Sequence, residues 1–214
     1  MVLLSPSISA MRRLVRICED YAVAHGLRYN AVKSELMVFK AGNKTYDDVP
    51  PVTLAGVELS RVTRFKYLGH WVTDNLTDDV DIERERRALT VRCNMLARRF
   101  ARCSADVKKT LFRSYCQSLY TCALWVRYTQ SSYGALRVQY NDAYRVMVGL
   151  PRFCSASGMF AEAGIPDFHC IIRSLMRRVR DSSNNLVATV ASRVDSPIMW
   201  HWMTTHRPSF RYVK

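Results

Sequence analysis

Acidic residues are scarce in this chain, as are spaced cysteine pairs and long apolar runs. Eighteen Asp and Glu stand against thirty-two Lys and Arg, a formal net charge of +14 and an isoelectric point near 9.8. That balance calls for an anionic partner, most commonly nucleic acid, although ribosome-associated and membrane-surface roles give a similar one. No C-x-x-C occurs among Cys18, Cys93, Cys103, Cys116, Cys122, Cys154 and Cys170. The cysteines read as reduced thiols, mostly buried as small hydrophobes, in a nuclear or cytoplasmic protein. A zinc site from Cys154, His169 and Cys170 is set aside, because adjacent His-Cys is poor ligand spacing. No apolar run approaches the ~18 residues of a membrane span. The longest candidate, residues 119–126, is interrupted by Thr121. Without a basic stretch leading into an apolar core, the start does not read as a secretory signal. The expectation is an intracellular chain with no membrane role.

Of the 214 residues, 49% are hydrophobic and 23% charged. Such a composition is neither disordered nor membranous, and the length suffices for one domain with a sizeable core or two small ones. Ser5-Pro6-Ser7 supplies a turn and an N-cap, after which Ile8, Met11, Leu14, Val15, Cys18 and Tyr21 recur at helical spacing up to His25-Gly26. Met1 to Leu4 reads as part of a strand. Leu27–Tyr29 and Leu36–Phe39 read as strands bracketing Lys33, and Val52-Thr53-Leu54 with Val57-Glu58-Leu59 as a hairpin turned at Ala55-Gly56.

The character of the chain changes at Phe65-Lys66-Tyr67-Leu68-Gly69-His70-Trp71-Val72. Strand-favouring aromatics alternate there with Lys66 and Leu68, and Gly69 marks a bend. The stretch is either a tight aromatic hairpin or a buried strand with a bulge at Gly69. Beyond it almost everything is helical. A long helix is expected from Asp79 to about Cys103, with Ile82, Leu89, Cys93, Leu96 and Phe100 apolar and Arg84, Arg86, Arg87, Arg92, Arg98, Arg99 and Arg102 on its other faces. Lys108, Lys109 and Arg113 continue the basic series on a helix capped by Ser104 and running to about Tyr128. The acids cluster at the start of the long helix, so its second half should carry nearly unpaired positive charge able to track a phosphate backbone. Ser132 is expected to start another helix, which stops at Gly149-Leu150-Pro151. A short helix from Met159 to Gly164 and one opened by Pro166-Asp167 follow.

Three features imitate catalysis. Tyr46-Asp47-Asp48 looks like a polymerase carboxylate pair, but Asn43-Lys44 and Val49-Pro50-Pro51 around it describe a turn rather than strands holding metal-bridging geometry. Asp78-Asp79 precedes an apolar-periodic run and suits a helix N-terminus. Cys154-Ser155-Ala156-Ser157-Gly158 has no His or Asp at a recognisable spacing, and reads as a helix-capping turn.

Taken together, FKYLGHWV followed by Asp78-Asp79-Val80-Asp81-Ile82 resembles the primer-grip hairpin and first thumb helix of reverse transcriptases from non-long-terminal-repeat (LINE-type) retrotransposons. Met1-Val2-Leu3-Leu4-Ser5-Pro6-Ser7 is similar to the residues after that family's catalytic aromatic-x-Asp-Asp. Gly26-Leu27-Arg28-Tyr29-Asn30 with Lys33-Ser34 is similar to its next palm motif. Leu111 to Cys116, Tyr140-Asn141-Asp142-Ala143 and Gly149-Leu150-Pro151-Arg152 resemble the helical region behind the polymerase core. The resemblance covers roughly the first 165 residues and lies in the order and spacing of several short motifs.

The resemblance implies an α+β fold: a small antiparallel palm-derived sheet in the N-terminal third, then a mainly α-helical thumb and connection. The implied divisions are 1–75, 76–165 and a helical tail at 166–214. It also implies that Lys33 is a general acid toward departing pyrophosphate, and that Lys66, Tyr67, Leu68, Gly69 and His70 hold the primer end. Arg92, Arg98, Arg99, Arg102, Lys108 and Lys109 would then bind the backbone of an RNA template or DNA primer. The intact family copies RNA into DNA with magnesium. Here the alignment starts just after the catalytic carboxylates, so the expected chain binds no metal or cofactor, lacks polymerase activity alone, and is partnered by the missing palm and fingers. The alternatives are a non-enzymatic basic helical module binding RNA or protein, and a non-functional remnant.

Overall fold

The computed structural model describes residues 1–42, 44–181, 186–192 and 196–204. The chain divides into two units, Met1–Leu76 and Thr77–Lys214.

In the first unit, α1 (Ile8–Ala24) starts where the Ser7 hydroxyl accepts from the Ala10 N–H. It ends at Gly26, whose φ of +64° lets the Leu27 N–H return to the Ala22 carbonyl at 2.8 Å. Three two-stranded ladders follow. β1 (Glu35–Leu36) runs parallel to β4 (Ser60–Arg61), while β2 (Thr53–Leu54) with β3 (Val57–Glu58) and β5 (Arg64–Tyr67) with β6 (His70–Thr73) are antiparallel hairpins. The single antiparallel sheet expected from sequence is thus replaced by three separate ladders, one of them parallel. Residues 1–4 and 27–29 are not strands; Ala31–Lys33 form a 3₁₀ turn closed by Asn30 Oδ1 accepting from the Lys33 N–H. The core is small, Val15, Leu36, Val52 and Leu54.

The second unit is helical. α2 (Asp79–Arg99) packs against α3 (Ala105–Cys116) and α4 (Gln130–Val148), and α6 (Phe168–Arg180) packs on α4 and on a 3₁₀ turn at Cys122–Leu124. α5 (Ala156–Ala163), α7 (Leu186–Ala191) and α8 (Pro197–Thr204) complete it. Ile82, Leu89, Phe112, Trp125, Leu136, Tyr140, Phe168 and Ile172 share one core. α6 buries Ile172 and Met176 in that core. The expected helix to Tyr128 stops at Cys116 instead, since Thr121 takes φ +66° ahead of the 3₁₀ turn. α4 is capped by Thr129 rather than started by Ser132, its hydroxyl accepting from the Ser132 N–H. Ser104, Ser155 and Asp167 cap α3, α5 and α6 through N–H groups three residues on. The residues after Thr204 lie outside the described ones.

Candidate nucleic-acid interface

The aromatic stretch is a hairpin. Lys66 pairs with Trp71 and Tyr67 with His70 across a two-residue connection, Leu68-Gly69. Leu68 has φ +47° and Gly69 +87°, the two left-handed residues of a type I′ turn, whose twist matches that of the strands. Gly69 suits such a position; a leucine there is held at a cost of about 1–2 kcal/mol. Lys66, Tyr67 and Leu68 are exposed at the tip, and Gly69 and His70 are half-buried. At the base, the Arg64 guanidinium lies over the Trp71 ring, 5.5 Å from its centroid. The Asp74 N–H donates to Thr63 O, and Lys40 holds Asp74 by a backbone bond and a 2.9 Å ion pair.

A cleft of about 570 Å³ runs beside this hairpin within the first unit. Leu3, Met11, Val15, Leu36 and Phe65 form its apolar wall, and Lys33, Lys66, Tyr67 and Tyr29 line it too. The fold therefore brings Lys33, taken from one motif, to the same cleft as Lys66 and Tyr67, taken from another.

In the second unit the basic residues of α2 fall into two sets. Glu83 accepts from Arg86 at 2.6 Å and Arg87 at 2.7 Å. The bond from Arg86 is the main cause that brings its carboxyl down to about 2. Asp81 and Glu85, both fully buried, take up Arg84, which donates to Asp81 Oδ1 at 2.7 Å and to Glu85 Oε2 at 2.9 Å. Asp81 Oδ2 also accepts from Thr121 Oγ1 and Trp125 Nε1, each at 2.8 Å. Arg92 donates to Glu85 through Nη2. Arg92 therefore differs from what its place in the basic series implied: its guanidinium belongs to a buried charge network. Burying two carboxylates is tolerable because guanidinium, indole and hydroxyl donors satisfy them.

Arg98, Arg99 and Arg102 are exposed, and among the described residues none of the three makes an ion pair. Residues 100–104 join α2 to α3, so Lys108 and Lys109, half-buried in the first turns of α3, follow closely in the chain. Lys109 also reaches Asp106 at 3.5 Å.

Asp78 and Asp79 act as structural anchors. Asp78 Oδ2 accepts from the N–H groups of Val126 and Arg127 at 2.7 and 2.8 Å, and Asp79 Oδ1 from the N–H and hydroxyl of Thr129. Burial raises the Asp79 carboxyl, but hydrogen bonds from Ser132 and Thr129 outweigh it, and the net shift is downward.

The residues present do not fit a catalytic magnesium. Tyr46, Asp47 and Asp48 are exposed in an irregular loop, Asp81 and Glu85 are already engaged by arginines, and among the described residues no group of three or more His, Cys, Asp or Glu is placed to hold a metal. Sequence reasoning missed the Asp81–Glu85–Trp125 network. Its signal was spacing: Asp81 and Glu85 fall about two turns and one turn before Leu89, on the face that buries Ile82.

The fold class defined here is a mixed α+β chain with small two-stranded sheets and a mostly helical second unit. No family model matches the chain, and comparisons with curated proteins and with solved structures find no match either.

Proposed function

We propose that the chain is part of the RNA-directed DNA polymerase of a non-long-terminal-repeat retrotransposon, comprising the end of the palm, the thumb and the helical region behind it. In this form it holds nucleic acid without copying it. The observation that carries the reading is the division of charge along α2: its acids engage Arg84, Arg86, Arg87 and Arg92, while Arg98, Arg99 and Arg102 stand exposed. Exposed cationic side chains without acid partners gain by displacing counterions from phosphates. The order of the sequence motifs and the hairpin formed by FKYLGHWV support the polymerase ancestry. With no carboxylate set among the described residues that fits magnesium, Lys33 is read as having no pyrophosphate to protonate.

The test is anisotropy of a labelled RNA–DNA primer–template against salt concentration. Replacing Arg98, Arg99 and Arg102 together by alanine should lower the logarithmic salt slope by about 2–3, at ~0.9 per lost phosphate contact. An unchanged slope overturns the assignment of these arginines. Nucleotide incorporation by the purified chain above a no-protein control would overturn the claim that it does not copy.

A second reading, a non-enzymatic basic helical module for RNA, is favoured by the separate core of the second unit. Under it, Lys66→Ala in the full chain leaves affinity unchanged while the triple arginine variant loses it.

A further inference from the structure

The turn that joins α4 to α5 is braced on both sides of one residue. Gly149 ends α4 at φ +77°, and the Leu150 N–H returns to Arg145 O at 2.9 Å. Pro151 fixes its own φ, and its carbonyl accepts from the Cys154 N–H at 3.1 Å, closing a turn over Arg152 and Phe153. The Cys154 carbonyl accepts from Arg145 Nη2 at 2.7 Å and Nε at 3.3 Å, while Asp142 holds the same guanidinium through Nη1 at 2.8 Å. The Cys154 side chain packs against the core, and Ser155 caps α5. Between these anchors the Phe153 ring is 91% exposed, the highest figure for a large hydrophobic residue among the described ones.

A single exposed apolar side chain is ordinary on a protein surface. What sets Phe153 apart is its backbone: a loop free to move would let the ring collapse onto neighbouring apolar surface, whereas the bonds at Leu150 and Cys154 hold it out. Its surroundings are positive. Arg152 is exposed and makes no ion pair among the described residues, the first turn of α5 carries no acid, and Asp142 is already paired with Arg145.

We propose that Phe153 is a stacking platform for an unpaired base of a nucleic-acid strand, with Arg152 on the adjoining phosphate. The proposal rests on the nucleic-acid reading above and adds a contact at residues to which the sequence motifs assigned none. A phenyl ring presents a π-face that any base can cover, and the cation beside it meets the charge of the backbone. An apolar pocket on a protein would also accept the ring, but positive surroundings with no free acid among them favour a polyanion.

The test is anisotropy of two labelled strands of equal length, an oligodeoxyadenylate and an abasic strand, against the full chain and its variants. With the ring in solvent, Phe153→Ala, Phe153→Leu and Phe153→Trp should all melt at the wild-type temperature. Phe153→Ala and Phe153→Leu should weaken oligodeoxyadenylate binding by about tenfold, the loss of roughly one stacked base, with the salt slope unchanged because no phosphate contact is lost. Phe153→Trp, with a larger π-face, should bind at least as tightly as wild type. The abasic strand should bind all four chains equally.

Wild-type affinity in Phe153→Ala overturns the proposal and leaves the ring as a surface for a protein partner. Wild-type affinity in Phe153→Leu overturns it too, since apolar area without a ring would then suffice, and so does an equal loss toward the abasic strand, which would mean that the residue acts through the fold. If the wild-type chain binds neither strand, the nucleic-acid reading falls, and the proposal with it. If it binds, and only the variant lacking Arg98, Arg99 and Arg102 weakens, the reading stands and the proposal alone fails.

Discussion

Asp81→Asn is the sharpest test of how the helical unit is held together. The carboxylate is fully buried and accepts from Arg84 Nε at Oδ1, and from Thr121 Oγ1 and Trp125 Nε1 at Oδ2. Asparagine is almost the same shape but has one oxygen. Whichever way the amide is turned, its NH₂ meets a donor, and Glu85, which already serves Arg92, is left as the carboxylate that balances Arg84. Breaking a buried pair from one side costs about 3–5 kcal/mol, because the surviving charge is stranded. A domain of this size is stable by roughly 5–15 kcal/mol, so a large part of the margin goes. Trp125→Phe removes one hydrogen bond to a charged acceptor, about 1.5–3 kcal/mol, and leaves the arginine pairing in place. The assay is guanidinium unfolding followed by far-ultraviolet circular dichroism, which reads the helices. The two variants should be non-additive, since they share Asp81. Stability of Asp81→Asn within about 0.5 kcal/mol of wild type, the range of an ordinary surface substitution, would refute the network.

Arg92→Ala should destabilise the helical unit in the same unfolding assay while leaving the salt slope of nucleic-acid binding unchanged, separating it from Arg98, Arg99 and Arg102. The thiols should divide by burial, which pushes Cys93 up to about 11 and Cys116 and Cys122 up to about 12. In the folded chain at about pH 8, iodoacetamide should modify the exposed Cys170 first and leave those three until denaturant is added, because the thiolate is the nucleophile. Peptide mapping of the alkylated sites reads the order, and early labelling of Cys116 would contradict the packing.

The sequence was most readable where one local rule had no competitor. The cap Ser104, the stop Gly149, the turn Ala55-Gly56 and the apolar face Ile82, Leu89, Cys93, Leu96 each follow from hydrogen-bonding capacity, permitted φ or periodicity, and all stand in the structure. It was least readable where tertiary partners decide. Residues 117–128 have apolar residues at helical spacing, yet the chain leaves the helix there so that Trp125 and Thr121 reach Asp81 and the backbone at Val126 and Arg127 reaches Asp78. Strand pairing at β1 was hidden for the same reason: two residues against a distant parallel partner leave no period to read. At the candidate site, Lys66, Tyr67 and Leu68 were legible as a motif. The strain at Leu68 and the shared cleft with Lys33 needed coordinates.

The arginines of α2 show why composition alone misplaces a binding surface. Arg84, Arg92, Arg98 and Arg99 are one residue type on one helix, but what each does is fixed by which acid lies within a turn or two. Asp81 and Glu85 are buried because the helix face that carries Ile82 and Leu89 must be, and carboxylates buried there have to recruit guanidinium groups from the flanks. Arg84 and Arg92 are thereby committed to the fold, and no phosphate can gain them without exposing a buried charge. Beyond Glu85 the helix has no acid left, so Arg98 and Arg99 incur no such loss on meeting an anion. The same acids that stabilise the first half of the helix thus determine by their positions where its acid-free, exposed basic half begins.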